Sequence, residues 1–389
     1  MDDNKLEFND RSLNLVKKVI LSIVRSYLIK TRKIYPFNIS LKDVENEKFK
    51  DIFNIDSLDL LNIASEINVF FNIHKIGIED KLLVNLSLEN WTEISIQSLN
   101  KNNGYLTFST SGSTGTPKLI THRLESIFTE AAEISRIVGS FNKVISLVPL
   151  HHIYGFLYSI ALPFIANKDM IFINTLKMSD LENDILIVAT PEQWKIYKDL
   201  IILSKKRIKG TSSTGILDLN LFAELINHNV QIYEFFGSTE TLGLGYRTSP
   251  YEKFNFFSYL TVKDNKILNV INQEYLEPMD DLRIEGSRFD FVGRKDNVVS
   301  IGGKNIFLDF IKNELLKNEL IVDCSVRSYP TEFGLFIKAL IVPKYFDETT
   351  INRIKEYIFQ NENTKYIKNI KFAEKVPVNE LGKPSDWQI

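Results

Sequence analysis

The sequence contains very little cysteine: Cys324 is the only one in 389 residues. A single cysteine excludes a disulfide framework and a cysteine metal cluster within this chain, and we predict that Cys324 is a buried, unreactive thiol. The sequence also lacks an excess of either charge, because its formal net charge is -2 and acidic and basic side chains are mixed. No broad basic surface for nucleic acid or for an anionic membrane is therefore expected.

Long hydrophobic runs are missing as well. The most apolar early stretch, residues 19–24, is flanked by Lys18 and Arg25 and is too short to cross a bilayer. The chain begins with acidic and polar residues, unlike a signal peptide. We expect no membrane span and a cytoplasmic location. The overall composition is that of a globular protein with room for two or three domains.

The most informative stretch is residues 109–118, STSGSTGTPK, which follow the apolar, strand-like residues 105–108. Glycines let the backbone turn tightly, so that successive N–H groups point at one anion. The hydroxyls add donors and Lys118 adds positive charge, so we predict a loop that binds a triphosphate. The stretch differs from the P-loop pattern because Thr116 and Pro117 separate Gly115 from Lys118. The alternative is a polar surface loop.

Three further motifs lie downstream. They are YEFFGSTE at residues 233–240, an Asp281-Leu282 pair with FVGRKD at 291–296, and LGKP at 381–384. In the first of these, Gly237 permits close approach of the backbone and Thr239 offers a hydroxyl. Glu240 offers a carboxylate oxygen, and Mg²⁺ prefers one or two carboxylates together with substrate phosphates.

In this order the motifs resemble those of the acyl-adenylate-forming enzymes, which include acyl-CoA ligases, luciferases and the adenylation domains of peptide synthetases. The resemblance covers residues 105–389. It implies an acid–thiol ligase that uses ATP and Mg²⁺ to convert a carboxylic acid to an acyl-AMP and then transfers the acyl group to a thiol. A non-catalytic nucleotide-binding or regulatory protein is the alternative outside enzymes.

The resemblance also implies individual roles. The residues to which it assigns ATP binding are Thr110, Ser111, Gly112, Ser113, Thr114, Gly115, Lys118, Phe236, Gly237, Asp281 and Arg294. Catalysis falls on Thr239, Glu240 and Lys383; Glu240 is the Mg²⁺ ligand, Asp296 the hinge, and Gly302 and Gly303 line the thiol tunnel. Asp281 is preferred to Asp280 as the residue that binds the ribose hydroxyls.

Two segments are candidates for the substrate pocket. Residues 149–155, PLHHIYG, resemble a family segment in which His152 borders the carboxylate of the acid; a structural histidine is the alternative. Residues 211–215, which end at Gly215, lie where the family has a short turn against the adenine, although an ordinary turn explains them equally well. The aspartate that binds a substrate ammonium in amino-acid-activating relatives is not found here, which favours an aryl or fatty acid.

The first hundred residues show helical periodicity, with stripes of apolar residues at three- and four-residue steps. At the predicted start of the second helix, Asp56-Ser57-Leu58 resembles the modification site of acyl carrier proteins. The resemblance implies a 4′-phosphopantetheine arm on Ser57, added by a phosphopantetheinyl transferase, and a helix N-terminus suits such an anion. The alternatives are a simple helix N-cap and an acyl acceptor that is a separate carrier protein or CoA.

We therefore predict a multidomain protein. Residues 1–100 form an all-α, four-helix carrier-like bundle, or only a docking platform if the enzyme is an acyl-CoA ligase. Residues 101–296 form an α/β adenylation core, truncated because the family has a substantial lobe before the phosphate loop. Residues 297–389 form a small, mobile α+β lid. Within these domains we expect a helix at 124–137 and strands at 144–148, 185–189 and 334–342.

Overall fold

A computed structural model of the chain describes residues 10–32, 55–84, 86–110, 118–264, 266–294, 298–301, 304–331, 334–380, 384–385 and 387. The chain divides into two compact units, Met1–Glu252 and Lys253–Ile389. This division does not coincide with the boundaries at residues 100 and 296 that we predicted from the sequence.

The first unit is built from helices and a mainly parallel sheet. Its helices are α1 (Asp10–Arg32), α2 (Ser57–Phe71), α3 (Lys81–Val84), α4 (Leu88–Lys101), α5 (Leu124–Val138), α6 (Ile153–Phe156), α7 (Leu162–Ile165), α8 (Pro191–Ser204) and α9 (Leu219–Asn227). The π-helical residues Leu157–Ala161 join α6 to α7, and 3₁₀ turns lie at Ile73–Ile76 and Met178–Asp180. Its strands are β1 (Tyr105–Ser109), β2 (Leu119–Arg123), β3 (Lys143–Ser146), β4 (Asp169–Phe172), β5 (Ile185–Ala189), β6 (Ile208–Ser212), β7 (Val230–Ser238) and β8 (Leu242–Arg247).

The sheet of this unit runs in the order β4-β3-β5-β6-β7-β8. The strands from β4 to β7 are parallel and β8 is antiparallel to β7. The central strand β5, with the sequence ILIVA, is buried at every position, as expected for a strand covered on both faces. Strands β1 and β2 form a separate antiparallel hairpin. The predicted α/β core is thus confirmed.

Helix α2 begins where the sequence predicted, and α4 also begins at a side-chain cap. Asp56 is the N-cap of α2, and its carboxylate accepts the backbone N–H of Asp59 at 2.9 Å. Ser87 is the N-cap of α4, and its hydroxyl accepts the N–H of Asn90 at 3.2 Å. Such caps satisfy N–H groups that have no partner within the helix.

These helices do not form a separate bundle, so the predicted carrier-like domain is not confirmed. Helix α1 is joined to the rest of the first unit by polar side chains. Arg11 donates to the carbonyl oxygens of Pro163 and Lys168 at 2.9 and 2.8 Å. Lys18 Nζ donates to the carbonyl oxygen of Met170 at 2.8 Å. Helix α1 is therefore bonded to residues 163–170 and belongs to the same compact unit as the sheet.

The second unit contains mostly antiparallel strands. They are β9 (Phe254–Phe256), β10 (Leu260–Lys263), β11 (Lys266–Asn269), β12 (Glu274–Leu276), β13 (Asp280–Glu285), β14 (Arg288–Arg294), β15 (Val298–Ile301), β16 (Lys304–Phe307), β17 (Ile321–Thr331), β18 (Gly334–Pro343) and β19 (Ile367–Phe372). Its helices are α10 (Leu308–Leu316) and α11 (Glu348–Gln360). Strand β18 pairs with β17 antiparallel and with β19 in parallel.

The helices α10 and α11 pack on the β17-β18-β19 sheet around one apolar core. Its members include Ile311, Ile337, Ile354 and Cys324. Cys324 is fully buried, and burial raises the pKa of its thiol to about 12. The thiol is therefore protonated and unreactive near neutral pH, as predicted. Among the residues that the structure describes, no helix combines the length and apolar character that crossing a membrane requires.

A close approach in the first unit supplies a test of its packing. Gly210 of β6 lies under the ring of Trp194, and a Cβ at position 210 would be 2.3 Å from Trp194 Cζ2. We expect Gly210→Ala to lower the free energy of unfolding by about 1–3 kcal/mol, because an overpacked core must shift. Urea unfolding followed by circular dichroism measures this.

The matched control is Gly215→Ala, where the added Cβ comes no closer than 3.8 Å to Pro191 Cγ. It is expected to change the free energy of unfolding by less than about 0.5 kcal/mol. Equal effects of the two substitutions would show that the approach to Trp194 does not constrain this position.

Candidate functional site

The predicted phosphate loop lies at the tip of the β1-β2 hairpin. The N–H of Thr110 donates to the carbonyl oxygen of Lys118 at 2.8 Å, and the N–H of Lys118 donates to Thr110 Oγ1 at 3.2 Å. These bonds close the base of the loop and leave Lys118 exposed. The predicted residues Ser111, Gly112, Ser113, Thr114 and Gly115 lie outside the described part of the chain.

The hairpin is held by the C-terminal end of α2. Asn72, which caps α2 with φ of 55°, donates from Nδ2 to the carbonyl oxygen of Tyr105 at 3.2 Å. Its Oδ1 accepts the hydroxyl of Thr107 at 3.0 Å, and Thr107 Oγ1 lies 2.8 Å from Thr121 Oγ1. A helix that we assigned to a carrier domain therefore positions the hairpin of the phosphate loop.

The Thr239–Glu240 motif lies in the tight turn between β7 and β8. At Gly237 a Cβ would lie 2.3 Å from the carbonyl oxygen of Leu242, so only glycine fits there. Leu242 itself has φ of 61°, a backbone conformation that costs a leucine about 1–2 kcal/mol. Thr239 is half-buried and Glu240 is exposed, so both are accessible to a ligand.

Two side chains from other elements hold this turn. Glu130 of α5 is buried, and both of its carboxylate oxygens accept the N–H of Gly243, at 3.0 and 2.9 Å. His122 of β2 lies with its Nε2 2.5 Å from the carbonyl oxygen of Thr239. The second contact directly joins the hairpin of the phosphate loop to the Thr239–Glu240 motif.

Residues 149–152, called the histidine motif below, directly precede α6. This motif is also held in place by a side chain of the N-terminal helix α1. The hydroxyl of Ser22 on α1 accepts the N–H of Leu150 at 2.9 Å and lies 3.1 Å from His151 Nδ1. The rings of His151 and His152 are 4.5 Å apart. Burial, together with the neighbouring His152, places the pKa of His151 well below its ordinary value. His151 is thus neutral near pH 7.

Gly155 lets α6 start close to this motif. A Cβ at Gly155 would be only 1.9 Å from the carbonyl oxygen of Pro149, so a larger residue cannot occupy the position. The adjacent Tyr154 is buried; its hydroxyl donates to the carbonyl oxygen of Ala189 at 3.0 Å and lies 2.9 Å from Thr211 Oγ1. Burial raises the pKa of Tyr154. Its side chain is therefore an uncharged link between α6 and the sheet.

The helical segment that follows the motif connects the other two parts of the site. The ring of Phe156 lies 5.7 Å from that of Phe108 on β1, and the ring of Tyr158 lies 4.8 Å from that of Phe235 on β7. Phe236, one of the predicted ATP-binding residues, follows Phe235 and is half-buried. Gly215 lies in an exposed loop after β6. The β1-β2 hairpin, which carries the predicted phosphate loop, is called the phosphate hairpin below. The first unit thus brings together the phosphate hairpin, the Thr239–Glu240 turn and the histidine motif.

The remaining predicted site residues belong to the second unit. Asp281 is exposed on β13 opposite Gly293 of β14, whereas its neighbour Asp280 is buried. Of the two, Asp281 is the one with a solvent-accessible carboxylate, and it remains the predicted ribose ligand. Arg294 is the last residue of β14. Asp296, Gly302, Gly303 and Lys383 lie outside the described residues.

The chain on either side of Lys383 is anchored to the second unit. Val378 pairs with Pro384, and the N–H of Ser385 donates to the carbonyl oxygen of Pro377 at 2.8 Å. Lys338 Nζ donates to the carbonyl oxygen of Trp387 at 2.8 Å and lies 4.8 Å from the centre of its ring. The described residues before and after the lysine are therefore held at one place on this unit.

Ser57 is exposed at the first position of α2. Asp56 and Asp59 form a capping box there, and the hydroxyl of Tyr27 on α1 donates to Asp59 at 3.1 Å. Two carboxylates thus occupy the environment in which a phosphodiester was predicted. The described geometry is that of a helix N-cap, which was the alternative interpretation, and it adds no support for 4′-phosphopantetheine at Ser57.

Sequence reasoning missed Ser22, His122 and Glu130. Each makes its contact across more than a hundred residues of sequence, so local patterns carry no signal for Ser22 or Glu130. His122 lies in the strand that follows the predicted phosphate loop. A histidine at that place in the sequence is the one local signal for a group that positions the loop.

The chain is similar to known proteins over most of its length. Residues 79–256 match the family described as AMP-binding enzyme. A 4-coumarate–CoA ligase from Halorhodospira halophila is 30% identical over 344 residues, which cover 84% of this chain and 87% of the relative. A second 4-coumarate–CoA ligase, from Cereibacter sphaeroides, is 26% identical over 358 residues, with coverage of 87% and 84%. The two alignments cover 84% and 87% of this chain, and the part that each leaves out is shorter than one hundred residues. Both alignments therefore include part of residues 1–100.

Solved structures show the same fold. O-succinylbenzoate coenzyme A synthetase (MenE) from Bacillus subtilis, in complex with ATP and magnesium ion, aligns with a TM-score of 0.55 and 15% identity, over 72% of this chain and 68% of that one. MatB from Rhodopseudomonas palustris, bound to ATP, aligns with a TM-score of 0.55 and 15% identity, over 72% and 66%. At these identities the likeness concerns the fold.

The neutral His151 makes the stability of the first unit depend on pH. Well above the ordinary histidine pKa of about 6.5, the residue is neutral in both the folded and the unfolded chain and contributes no slope. Below that value the unfolded chain takes up the proton first, because the pKa of His151 in the folded chain is lowered. We expect the free energy of unfolding to fall by up to about 1.4 kcal/mol per pH unit through this group as the pH decreases.

Urea unfolding between pH 7.5 and 5.5 measures this slope. His151→Asn keeps an acceptor for the Ser22 hydroxyl but cannot titrate, so the slope should become shallower. The control is His228→Asn, at an exposed histidine, for which the wild-type slope is expected. A slope that His151→Asn leaves unchanged contradicts the assignment.

Proposed function

Since the chain belongs to the AMP-binding enzyme family, we propose that it activates an aromatic carboxylic acid with ATP and transfers the acyl group to coenzyme A. The single observation that carries this proposal is the contact between His122 and Thr239, through which the phosphate hairpin and the Thr239–Glu240 motif form one site. A non-catalytic nucleotide-binding protein would not need the acid-binding segment beside this site.

The choice of an aromatic acid is supported by the relatives. Both relatives described above are named 4-coumarate–CoA ligases, and the acid in that name is aromatic. We therefore propose a hydroxycinnamate-type acid as the substrate. The rings of Tyr154, Tyr158 and Phe235 contact one another in the buried core, so they support the fold and not the choice of substrate.

In the first step a carboxylate oxygen attacks the α-phosphorus of ATP, the bond to the β-phosphate oxygen breaks, and pyrophosphate leaves. Two anions repel each other, so positive charge must be in place before they meet. Lys118 at the hairpin and Lys383 from the second unit are the proposed cationic groups. The Thr239 hydroxyl donates to the α-phosphate, and His152 borders the carboxylate of the acid.

Glu240 is the residue that would hold Mg²⁺. Its exposed carboxylate next to the Thr239 hydroxyl fits a cation that takes few protein ligands and several phosphate oxygens. When bound, Mg²⁺ supplies charge neutralisation at the phosphates. Phe236 is the proposed stacking partner of the adenine, and Gly237 lets the backbone approach the nucleotide closely. Asp281 is the proposed ligand of the ribose hydroxyls, and Arg294 is proposed to face the nucleotide.

In the second step the thiol sulfur attacks the acyl carbon, the bond to the AMP oxygen breaks, and AMP leaves. We propose that rotation about Asp296 withdraws Lys383 and brings Gly302 and Gly303 to the thiol, since such motions gate many enzymes. Coenzyme A is the proposed acceptor because ligases that use it match this chain into its N-terminal helices.

The experiment that tests the function combines substrate choice with acceptor choice. ATP–pyrophosphate exchange is measured with cinnamic, benzoic and fatty acids, and the thioester product is then sought on CoA and on the protein itself. We expect exchange with hydroxycinnamic acids and a CoA thioester. Intact mass after treatment with a phosphopantetheinyl transferase, ATP and acid, compared between wild type and Ser57→Ala, tests the carrier alternative.

A mass increase on wild type that Ser57→Ala abolishes would support self-loading and reject free CoA as the principal acceptor. Absence of exchange with every acid would support the non-catalytic alternative.

Replacement of the proposed catalytic lysine tests the chemistry directly. Lys383→Ala is expected to lower the rate of acid-dependent pyrophosphate exchange about 10²–10³-fold, because one preorganised cationic group at the transition state is removed. The matched control is Lys375→Ala, an exposed lysine of the same unit, with exchange expected at the wild-type rate. Normal AMP formation by Lys383→Ala would reject the proposed mechanism.

A further inference from the structure

Two parts of the candidate site that are remote in sequence meet through one side chain. His122 and Thr239 are separated by 117 positions, and their contact, 2.5 Å from Nε2 to the carbonyl oxygen, is short. A carbonyl oxygen only accepts hydrogen bonds, so Nε2 must carry the hydrogen. Burial lowers the pKa of His122 below its ordinary value, which is consistent with a neutral ring whose one N–H points at Thr239.

The strand that carries His122 is itself fixed. His122 pairs with Leu106 in the β1-β2 hairpin, and the preceding Thr121 contacts Thr107, which is bonded to Asn72. The imidazole also lies 6.3 Å from the ring of Phe108. The donor is therefore presented from a hydrogen-bonded strand pair rather than from a loop.

The turn that receives the bond needs external support. Ser238 Oγ and Thr241 Oγ1, 3.1 Å apart, make contacts within the turn, and Leu242 occupies a left-handed conformation. Glu130 holds the C-terminal side of the turn through the N–H of Gly243. His122 holds the side on which the proposed ligand-binding side chains lie.

We propose that His122 is a positioning residue for the adenylation reaction. Through the Thr239 carbonyl it sets the distance between the phosphate hairpin and the hydroxyl and carboxylate of Thr239 and Glu240. This inference rests on the proposed function and extends it, because it gives a role to a residue that makes no proposed contact with ATP or with the acid. Small displacements of positioned groups cost rate, up to about 10²-fold for an error of 1 Å.

The test compares His122→Ala with His122→Gln. The glutamine side-chain nitrogen takes the place of Nε2 and restores a donor, whereas alanine removes it. For each variant the kcat and the ATP KM of acid-dependent pyrophosphate exchange are measured, together with the Mg²⁺ concentration at half-maximal rate. The control is His228→Ala, an exposed histidine in the same unit, for which wild-type values are expected.

We expect His122→Ala to lower kcat about 10²-fold. We also expect it to raise the half-maximal Mg²⁺ concentration about tenfold, because Glu240 is no longer aligned with the phosphates, a loss of about 1.4 kcal/mol. His122→Gln should recover most of both losses. A purely structural role would lower the amount of folded enzyme without moving the Mg²⁺ midpoint. Wild-type kcat and Mg²⁺ midpoint in His122→Ala would overturn the inference.

A binding measurement separates this inference from the proposed function. If the wild-type protein shows no exchange with any acid, the proposed function fails, and calorimetric titration with ATP and Mg²⁺ then decides the role of His122. Weaker binding by His122→Ala that His122→Gln restores supports positioning of the nucleotide site. Equal Kd values for wild type and both variants overturn it.

Discussion

The helical segment 153–165 is buried over residues 154–163, and this burial determines where the parts of the candidate site lie. Its side chains contact the phosphate hairpin through Phe108 and the central sheet through Phe235. A helix with apolar side chains on all faces must be enclosed by other elements. The segment starts at the histidine motif, so enclosing it also places His152. Gly155 makes the arrangement possible because any larger residue would collide with the Pro149 carbonyl.

The turn with Thr239 and Glu240 shows how polar groups complete what apolar packing begins. Its backbone includes a leucine in an unfavourable conformation, which persists only where surrounding contacts offset the cost. A buried carboxylate from Glu130 and an imidazole from His122 supply those contacts from two different elements. A catalytic site gains from such support because groups that are already aligned need no reorganisation when charge develops. The strained backbone and the proposed nucleotide-binding side chains therefore occupy the same few residues.

The N-terminal helices illustrate the limit of periodicity as a guide. A stripe of apolar residues predicts that a helix is buried on one side, but it does not say against what. In α1 the polar residues Arg11, Lys18 and Ser22 bond to backbone groups between residues 150 and 170. The positions of these three polar residues in the sequence would be the same if α1 belonged to a separate bundle and their side chains faced solvent. The helices are part of the first unit, and α2 and α4 supply support for the hairpin through Asn72 and the residues around it.

The sequence by itself determined the family, the α/β character of the core and the positions of several helices and strands, including β5 at 185–189 and the cap of α2. It did so because glycines, hydroxyl side chains and apolar periodicity determine backbone conformation and burial over a few neighbouring residues. Their effects can therefore be recognised in the amino-acid sequence. It also placed the residues on which adenylation is proposed to depend. Only the tertiary structure decided that the first helices belong to the same unit as the sheet, and that Ser22, His122 and Glu130 support the site. Those contacts join positions more than a hundred residues apart, and a hydrogen bond across such a separation exists only once the packed core has brought the two groups within reach.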